Sequence, residues 1–113
     1  MNVLICGGRQ FKGRYKFDEA MKLLPFTPSV IIHGGADGAD LMGDQWAKSN
    51  GIFSIRIDAL WQSHGNGAGP KRNQAMLDLV KIDYCIAFPG GNGTNDMIER
   101  CVANNIPVWQ PYL

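Results

Sequence analysis

The sequence lacks an excess of either charge. Its 113 residues carry 11 lysines and arginines against 10 aspartates and glutamates, which gives a formal net charge of +1 and a pI near 7.7. A groove for nucleic acid requires clustered positive charge, so the near-neutral total argues against nucleic acid as a partner.

Long apolar runs are also missing. Every apolar stretch is far shorter than the roughly 20 residues that a transmembrane helix needs, so we expect no membrane partner. Met1 and Asn2 lead directly into Val3–Cys6, without a basic region or a small-residue cleavage site. The sequence therefore predicts a cytoplasmic protein.

Cysteines are few and carry no metal-binding spacing. Cys6, Cys85 and Cys101 form no C-x-x-C pair and no Cys/His pattern, and each lies in an apolar segment. We therefore expect three free thiols, with no disulfide, no metal and no cofactor. Cys6 stands at a strand end beside two glycines, and we interpret it as a buried strand residue rather than a reactive thiol.

The chain does contain a regular alternation of short apolar runs and amphipathic stretches. The apolar runs predict five strands at Val3–Cys6, Val30–His33, Ile52–Ile57, Tyr84–Phe88 and Pro107–Trp109. The amphipathic stretches predict a helix ending at Pro25, one from about Asp40 to Gly51, one opening near Pro70, and one carrying Met97, Ile98, Cys101 and Val102. In the third helix we expect a buried stripe made of Ala75, Met76, Leu79 and Val80.

This alternation indicates an α/β fold in which helices cover both faces of a parallel sheet. Right-handed crossovers predict a single domain over residues 1–113 with strand order 3-2-1-4-5. In that order the chain reverses direction between strands one and four, and ligands of such sheets bind beyond the carboxyl ends of the strands at that point. The loops expected there are rich in glycine.

The loop after the fourth strand predicts a phosphate site. Gly90, Gly91 and Gly93 let backbone N–H groups approach a ligand, and Thr94 opens the following helix, whose N-terminus favours an anion. Pro89 ends the strand, because it cannot donate to the sheet. The alternative interpretation is an ordinary glycine-rich turn with Thr94 as the N-cap.

The loop after the second strand combines glycines with acids. Gly34 and Gly35 end the strand, and Asp37 and Asp40 follow. These carboxylates would repel a phosphate but suit ribose hydroxyls or an exocyclic amine. The alternative makes Asp40 an N-cap and Asp37 a turn residue.

Cations stand near both loops. Arg9 follows Gly7 and Gly8 at the end of the first strand. Lys71 and Arg72 stand in the first turn expected for the third helix, where they oppose the helix dipole, and an anion placed opposite would compensate for this. We expect Arg72 to bind phosphate, with a solvated surface arginine as the alternative; Arg9 could make a similar contact.

The long loop between the third strand and third helix contains two ambiguous residues. Trp61 could stack on a base or plug the sheet edge, and His64 could shuttle a proton or be solvated. We expect Trp61 to contact the ligand and His64 to be solvated. His33 is expected to be a hydrogen-bonded structural residue.

Four segments together resemble a known family. In order and spacing, "VLICGGRQF", "IIHGGADGAD", "WQSHGNGAGPKRNQAML" and "AFPGGNGTNDM" resemble the YspA-type branch of the SLOG superfamily. The resemblance implies a Rossmann-like, three-layer fold and a ligand related to nucleotides. Members of that superfamily include the Lonely-guy phosphoribohydrolases, molybdenum-cofactor carriers and ligand sensors of bacterial and phage conflict systems.

Compared with the hydrolases, the chain departs from their motif at one position. They carry P-G-G-x-G-T-x-x-E and an arginine in an R-x-x-x-M helix; Arg72 and Met76 match the second pattern and Pro89–Thr94 the start of the first. The motif glutamate falls on Met97, which cannot transfer a proton. If the chain is an enzyme, the resemblance implies a catalytic role for Arg72. Asp37, Asp40 or Asp96 could then substitute for the glutamate, and we take Asp96 as the candidate.

Three functions follow, and the first is preferred. In the first, we expect the chain to bind a phosphorylated nucleoside, such as a mononucleotide or an ADP-ribose-type molecule, for sensing, carriage or sequestration; sequestration fits because this branch resembles many phage-borne proteins. The second is a metal-independent nucleoside 5′-monophosphate phosphoribohydrolase or N-glycosidase, and the third is nucleic-acid binding. Relatives commonly pair through helices, so a homodimer or homotetramer is expected.

Overall fold

The computed structural model describes residues 1–59 and 65–112, and its centre is a parallel sheet. Five strands occur in these ranges, in the order β3-β2-β1-β4-β5, which confirms the predicted order. Adjacent strands pair in parallel throughout. The strands are β1 (Asn2–Cys6), β2 (Val30–His33), β3 (Phe53–Arg56), β4 (Tyr84–Ala87) and β5 (Val108–Trp109).

In the described residues, four α-helices cover the two faces of the sheet. Because side chains alternate along a strand, Val3 and Ile5 point to one face and Leu4 to the other. The first face packs on α1 (Arg14–Lys22) and α2 (Ala39–Ser49). The second packs on α3 (Ala68–Leu79), which follows a 3₁₀ turn at Gly65–Gly67, and on α4 (Asn92–Ala103). These three layers are the Rossmann-like arrangement that the sequence predicted.

Two of the predicted buried positions are wrong. Leu79 is 73% exposed and Val102 is 62% exposed, because both lie on the outer faces of α3 and α4. The buried face of α3 is formed instead by Ala68, Asn73 and Met76. Apolar periodicity alone misses this face, because one of its members is polar.

Helix boundaries differ from the prediction near the two most informative loops. Helix α3 begins at Ala68, so Pro70 stands in its first turn as expected. Lys71 and Arg72 are then the fourth and fifth residues, which weakens the predicted opposition to the helix dipole. Helix α4 begins at Asn92, so Thr94 is its third residue and does not open it.

The three cysteines are buried in the described structure. Cys6, Cys85 and Cys101 are free and buried, and the Sγ atoms of Cys6 and Cys85 lie 3.8 Å apart. The burial expected for Cys6 is therefore confirmed. Across residues 1–59 and 65–112, no helix has the length and apolar character needed to cross a membrane.

Candidate functional site

A cleft of about 600 Å³ opens where the carboxyl ends of β1 and β4 lie side by side. Four segments line it: the end of β1 with its loop, the start of α2, the first half of α3, and the start of α4. The cleft therefore lies at the topological switch point, where open α/β sheets bind their ligands. Of the predicted site residues, it brings together Gly7, Gly8, Arg9, Asp40, Arg72, Gly91, Gly93, Thr94 and Asp96.

The start of α4 supplies backbone donors to this cleft. The N–H of Asn95 makes the first bond of the helix, to the Gly91 carbonyl at 3.0 Å. The preceding N–H groups, of Asn92, Gly93 and Thr94, have no acceptor within the helix. No other acceptor for them is found in the described part of the chain. No side chain caps α4, so the alternative in which Thr94 is the N-cap is wrong.

The glycines in the loops after β1 and β4 divide into those that packing requires and those that packing does not explain. A Cβ on Gly90 would lie 2.6 Å from the Gly8 nitrogen, and a Cβ on Gly8 would lie 3.0 Å from the Gly90 Cα. These two glycines are required because the loops touch through their backbones. A Cβ on Gly91 or Gly93 would meet nothing within 4 Å. Packing within the described protein therefore does not explain glycine at Gly91 and Gly93, both of which face the cleft.

The loop after β2 uses its amides internally. Asp40 accepts hydrogen bonds from the N–H groups of Gly34, at 3.0 Å, and Ala36, at 3.3 Å. The N–H of Gly35 donates to Nδ1 of His33 at 3.1 Å. The N–H groups of Gly34 and Gly35, two glycines predicted to contact a ligand, are therefore bonded within the protein. Both glycines line a neighbouring pocket instead of the cleft.

The two aspartates of this loop are separated. Asp40 is 5% exposed and lines the cleft. Burial raises the pKa of Asp40, and the two N–H donors and the Arg72 charge offset this only in part. Asp37 is exposed and lies in a surface groove with Arg14, outside the cleft lining. Asp40, not Asp37, is thus positioned to meet a bound molecule.

The side chain of Arg72 extends from α3 to the end of β2. Its Nη1 donates to the Gly34 carbonyl at 2.7 Å, and its Nε donates to the Asn73 Oδ1 at 3.2 Å. These two bonds hold the guanidinium at the edge of the cleft, which it lines. An arginine fixed in this way binds an anion with a smaller loss of side-chain entropy.

Comparison with known proteins adds to this geometry. The profile of the YspA, cpYpsA-related SLOG family matches residues 1–64. The gene 61 protein of Mycobacterium phage D29 is 37% identical over 117 residues, which cover 94% of this chain and 92% of that protein. The chain belongs to the YspA, cpYpsA-related SLOG family. No solved structure matches it.

Within this SLOG domain, a second carboxylate that lines the cleft, Asp96, is held in an ion pair. Asp96 Oδ2 accepts from Asn73 Nδ2 and from Arg100 Nε, both at 2.8 Å. Partial burial acts to raise the pKa of Asp96, but these two donors and the Arg100 charge outweigh it and lower the pKa. Asp96 is therefore an ionised carboxylate with partners, which is poorly suited to act as a general acid.

Met97 lies beside it at the position of the hydrolase glutamate. It is 1% exposed and forms part of the cleft lining. An apolar thioether at this position can contact a ligand but cannot take up or release a proton. The SLOG cleft thus has an apolar surface where the resemblance places a catalytic acid.

Of the two histidines and Trp61, the structure describes His33. His33 is 2% exposed, and its Nε2 contacts Ser54 Oγ at 3.0 Å and Asp44 Oδ1 at 3.2 Å. The structural role predicted for His33 is confirmed. Because its Nδ1 accepts the Gly35 N–H, the ring proton resides on Nε2. Trp61 and His64 lie outside the described residues.

Three residues with amide side chains in the described cleft lining were missed at the sequence level: Gln10, Asn92 and Asn73. Asn73 is the most informative, since it is 4% exposed and bonds both Asp96 and the Gly93 carbonyl, the latter at 3.2 Å. It lies three residues before Met76 and hence on the same helix face. That spacing is the signal that could have identified it.

Proposed function

We propose that residues 1–113 form one SLOG domain that binds a phosphorylated nucleoside or nucleotide-derived signal, such as a mononucleotide or an ADP-ribose-type molecule. Sensing, carriage or sequestration would each use such binding, and the similarity to a phage protein fits the last. The observation that carries the proposal is the start of α4, where open glycines and N–H groups without an acceptor in residues 1–59 and 65–112 face the cleft.

The phosphate would lie against Gly91, Gly93 and Thr94, where the helix dipole and the free N–H groups both favour an anion. Arg72 lines the same cleft and supplies a charged donor. Asp40 would accept a hydrogen bond from the sugar or base, because its buried carboxylate disfavours a second anion beside it.

Binding without hydrolysis is the preferred form of this proposal. Breaking an N-glycosidic bond requires a carboxylate at the reacting centre and commonly an acid for the leaving base. Met97 is apolar, and Asp96 is held by Arg100. Chromatography of AMP after long incubation with the protein separates the two functions. Release of free adenine would establish the phosphoribohydrolase alternative, with Arg72 and Asp96 as its candidate residues.

Calorimetry against a panel of nucleoside monophosphates, nucleoside diphosphates and ADP-ribose tests the binding itself. Replacing Arg72 removes a charge-assisted bond that is typically worth about 1.5–3 kcal/mol, so we expect Arg72→Ala to weaken binding by roughly tenfold or more. Arg72→Lys keeps the charge but loses the forked geometry, and should give an intermediate value.

Lys71→Ala is the matched control. Lys71 is the adjacent residue on α3, carries the same charge, and lies outside the cleft lining. Its replacement should leave affinity nearly unchanged. Equal losses for Lys71→Ala and Arg72→Ala, or no binding of any phosphorylated ligand, would contradict the proposal.

We also propose that the protein acts in the cytoplasm as a homodimer or homotetramer. Phe53 is 80% exposed and Leu79 is 73% exposed, and an interface between copies would bury such apolar surface. A monomer mass in light scattering would contradict this part of the proposal.

A further inference from the structure

A second pocket adjoins the cleft at the ends of β2 and β3. It has a volume of about 310 Å³, and three of the eight residues that line it are arginines: Arg9, Arg56 and Arg72. We refer to it as the arginine pocket. Arg9 and Arg72 also line the cleft, so the two spaces are contiguous. Arg56 ends β3 and faces only the arginine pocket among the cavities described here.

The glycine pair at the end of β2 makes room for two of these guanidinium groups. A Cβ on Gly34 would collide with the guanidinium of Arg72. A Cβ on Gly35 would collide with Arg56 Nε and would lie 2.9 Å from Asp58 Oδ1. Gly35 also has φ +74°, a conformation that favours glycine. The two glycines that the sequence suggested as ligand contacts therefore allow two arginines to lie against the backbone.

The charge of the arginine pocket remains positive after its one acid is counted. Asp58 pairs with Arg56 at 2.6 Å, but the two side chains are 60% and 58% exposed. An exposed pair of this kind contributes little and yields readily to a stronger partner. Three arginines against the one aspartate among its described lining residues leave a formal charge of +2 around the space, and Asp40, which interacts with Arg72 from the cleft side, offsets part of it. Arginine stays protonated at every physiological pH, and its planar donors match phosphoryl oxygens.

We propose that the arginine pocket is a second anion subsite, and that the ligand carries two phosphoryl groups joined through a nucleoside. This inference rests on the proposed function, since the first phosphoryl group occupies the start of α4. The second would be held by Arg56, with Arg9 and Arg72 at the junction of the two spaces. The ligand class is then a nucleoside bisphosphate or a short oligonucleotide, in which sugar separates the phosphates.

The spacing of the two subsites favours this class over a nucleoside diphosphate. Helix α4 follows β4, whereas the arginine pocket lies at the ends of β2 and β3. Because β1 separates β4 from β2, the strand ends are at least two spacings, or about 10 Å, apart. The two phosphates of a diphosphate share one bridging oxygen and cannot reach both places.

Asp40 supports the same conclusion. Its carboxylate lines the cleft and is bonded to Gly34 and Ala36, which line the arginine pocket. It therefore lies at the boundary between the two anion subsites. Negative charge is disfavoured beside a buried carboxylate, so a continuous polyphosphate would be repelled there. A ribose would instead present hydroxyl donors to it.

Calorimetry with three matched probes tests the inference. The probes are the 5′-monophosphate, the 5′-diphosphate and the 3′,5′-bisphosphate, each as the adenosine and the guanosine form. For at least one base, we expect the bisphosphate to bind about tenfold more tightly than the other two, as one added charge-assisted contact provides. Arg56→Gln should abolish this advantage and leave the monophosphate affinity unchanged.

Two further variants control for folding and for general charge. Asp58→Asn removes the one acid among the described residues that line the arginine pocket and should strengthen bisphosphate binding, an effect that misfolding cannot mimic. Lys81→Gln removes one positive charge from a side chain that is 88% exposed and precedes β4, at the amino-terminal end of the strands and hence opposite the site, and should have no effect.

The outcomes separate this inference from the proposed function. If the monophosphate binds but the bisphosphate binds no more tightly than the diphosphate, the second subsite is refuted and the proposed function stands. The second subsite is also refuted, and the proposed function stands, if Arg56→Gln weakens the binding of the monophosphate and of the bisphosphate equally. If none of the probes binds, both are refuted.

Discussion

Replacing Gly93 by alanine should stabilise the protein and at the same time weaken ligand binding. Gly93 is the second residue of α4, and the structure leaves open space within 4 Å of the position that a Cβ would take. Glycine inside a helix costs roughly 0.5–1 kcal/mol relative to alanine. For 113 residues, the typical unfolding entropy makes this a rise in Tm of about 2–4 °C.

The same methyl group would project into the cleft beside the free N–H groups. If a phosphate lies against them, the methyl group must displace it, and overpacking of this kind costs about 1–3 kcal/mol. We therefore expect AMP, or whichever monophosphate binds best, to lose roughly tenfold in affinity. Thermal unfolding without ligand and calorimetry with ligand measure the two effects separately.

Gly90→Ala provides the contrasting variant. Its Cβ would lie 2.6 Å from the Gly8 nitrogen, so it should destabilise the protein by roughly 1–3 kcal/mol even without ligand. A Gly93→Ala protein that is more stable but binds its nucleotide as tightly as the wild type would refute the placement of phosphate at α4. A Gly93→Ala protein that is less stable would show that the space beside it is needed for folding.

Two further predictions concern the polar contacts that support the site. Hydrogen bonds from Lys48 and Ser54 lower the pKa of Asp44 from 3.8 to about 2. The resulting stability, of order 2 kcal/mol and reduced by screening of the exposed Lys48, is complete above pH 4 and is lost as the pH falls toward 2. In urea titrations Asp44→Asn should flatten this dependence, and an unchanged slope would contradict it. Asn73→Ala should lower the free energy of unfolding by roughly 1–3 kcal/mol, because it deprives Asp96 of a donor; a loss no larger than that of the exposed Asp78→Ala would contradict it.

The strand order was predictable because the short apolar runs and the amphipathic stretches between them both indicate a doubly wound parallel sheet. The apolar runs are short and continuous, as in strands buried on both faces, and amphipathic stretches separate them. Tyr84–Ala87 and Asn2–Cys6 could therefore be placed side by side before any contact was known. The glycine-rich loops then followed at the switch point.

The contents of the site were less predictable, because glycines with the same appearance in sequence have different roles. Gly90 is required by the backbone of Gly8, Gly34 by the side chain of Arg72, and Gly93 by nothing in the described protein. These distinctions depend on contacts between residues far apart in the chain. Arg56 was overlooked for the same reason, since only the fold brings the end of β3 beside Arg72.

The contact between the β1 and β4 loops has a mechanical consequence. The Gly8 N–H donates to the Pro89 carbonyl at 2.9 Å, and the two glycine backbones touch, so neither loop can hinge without the other. This wall of the cleft is thus formed before any ligand arrives. Any change in the shape of the cleft would therefore have to come from the opposite wall, where Gly69 and Pro70 stand in the first turn of α3.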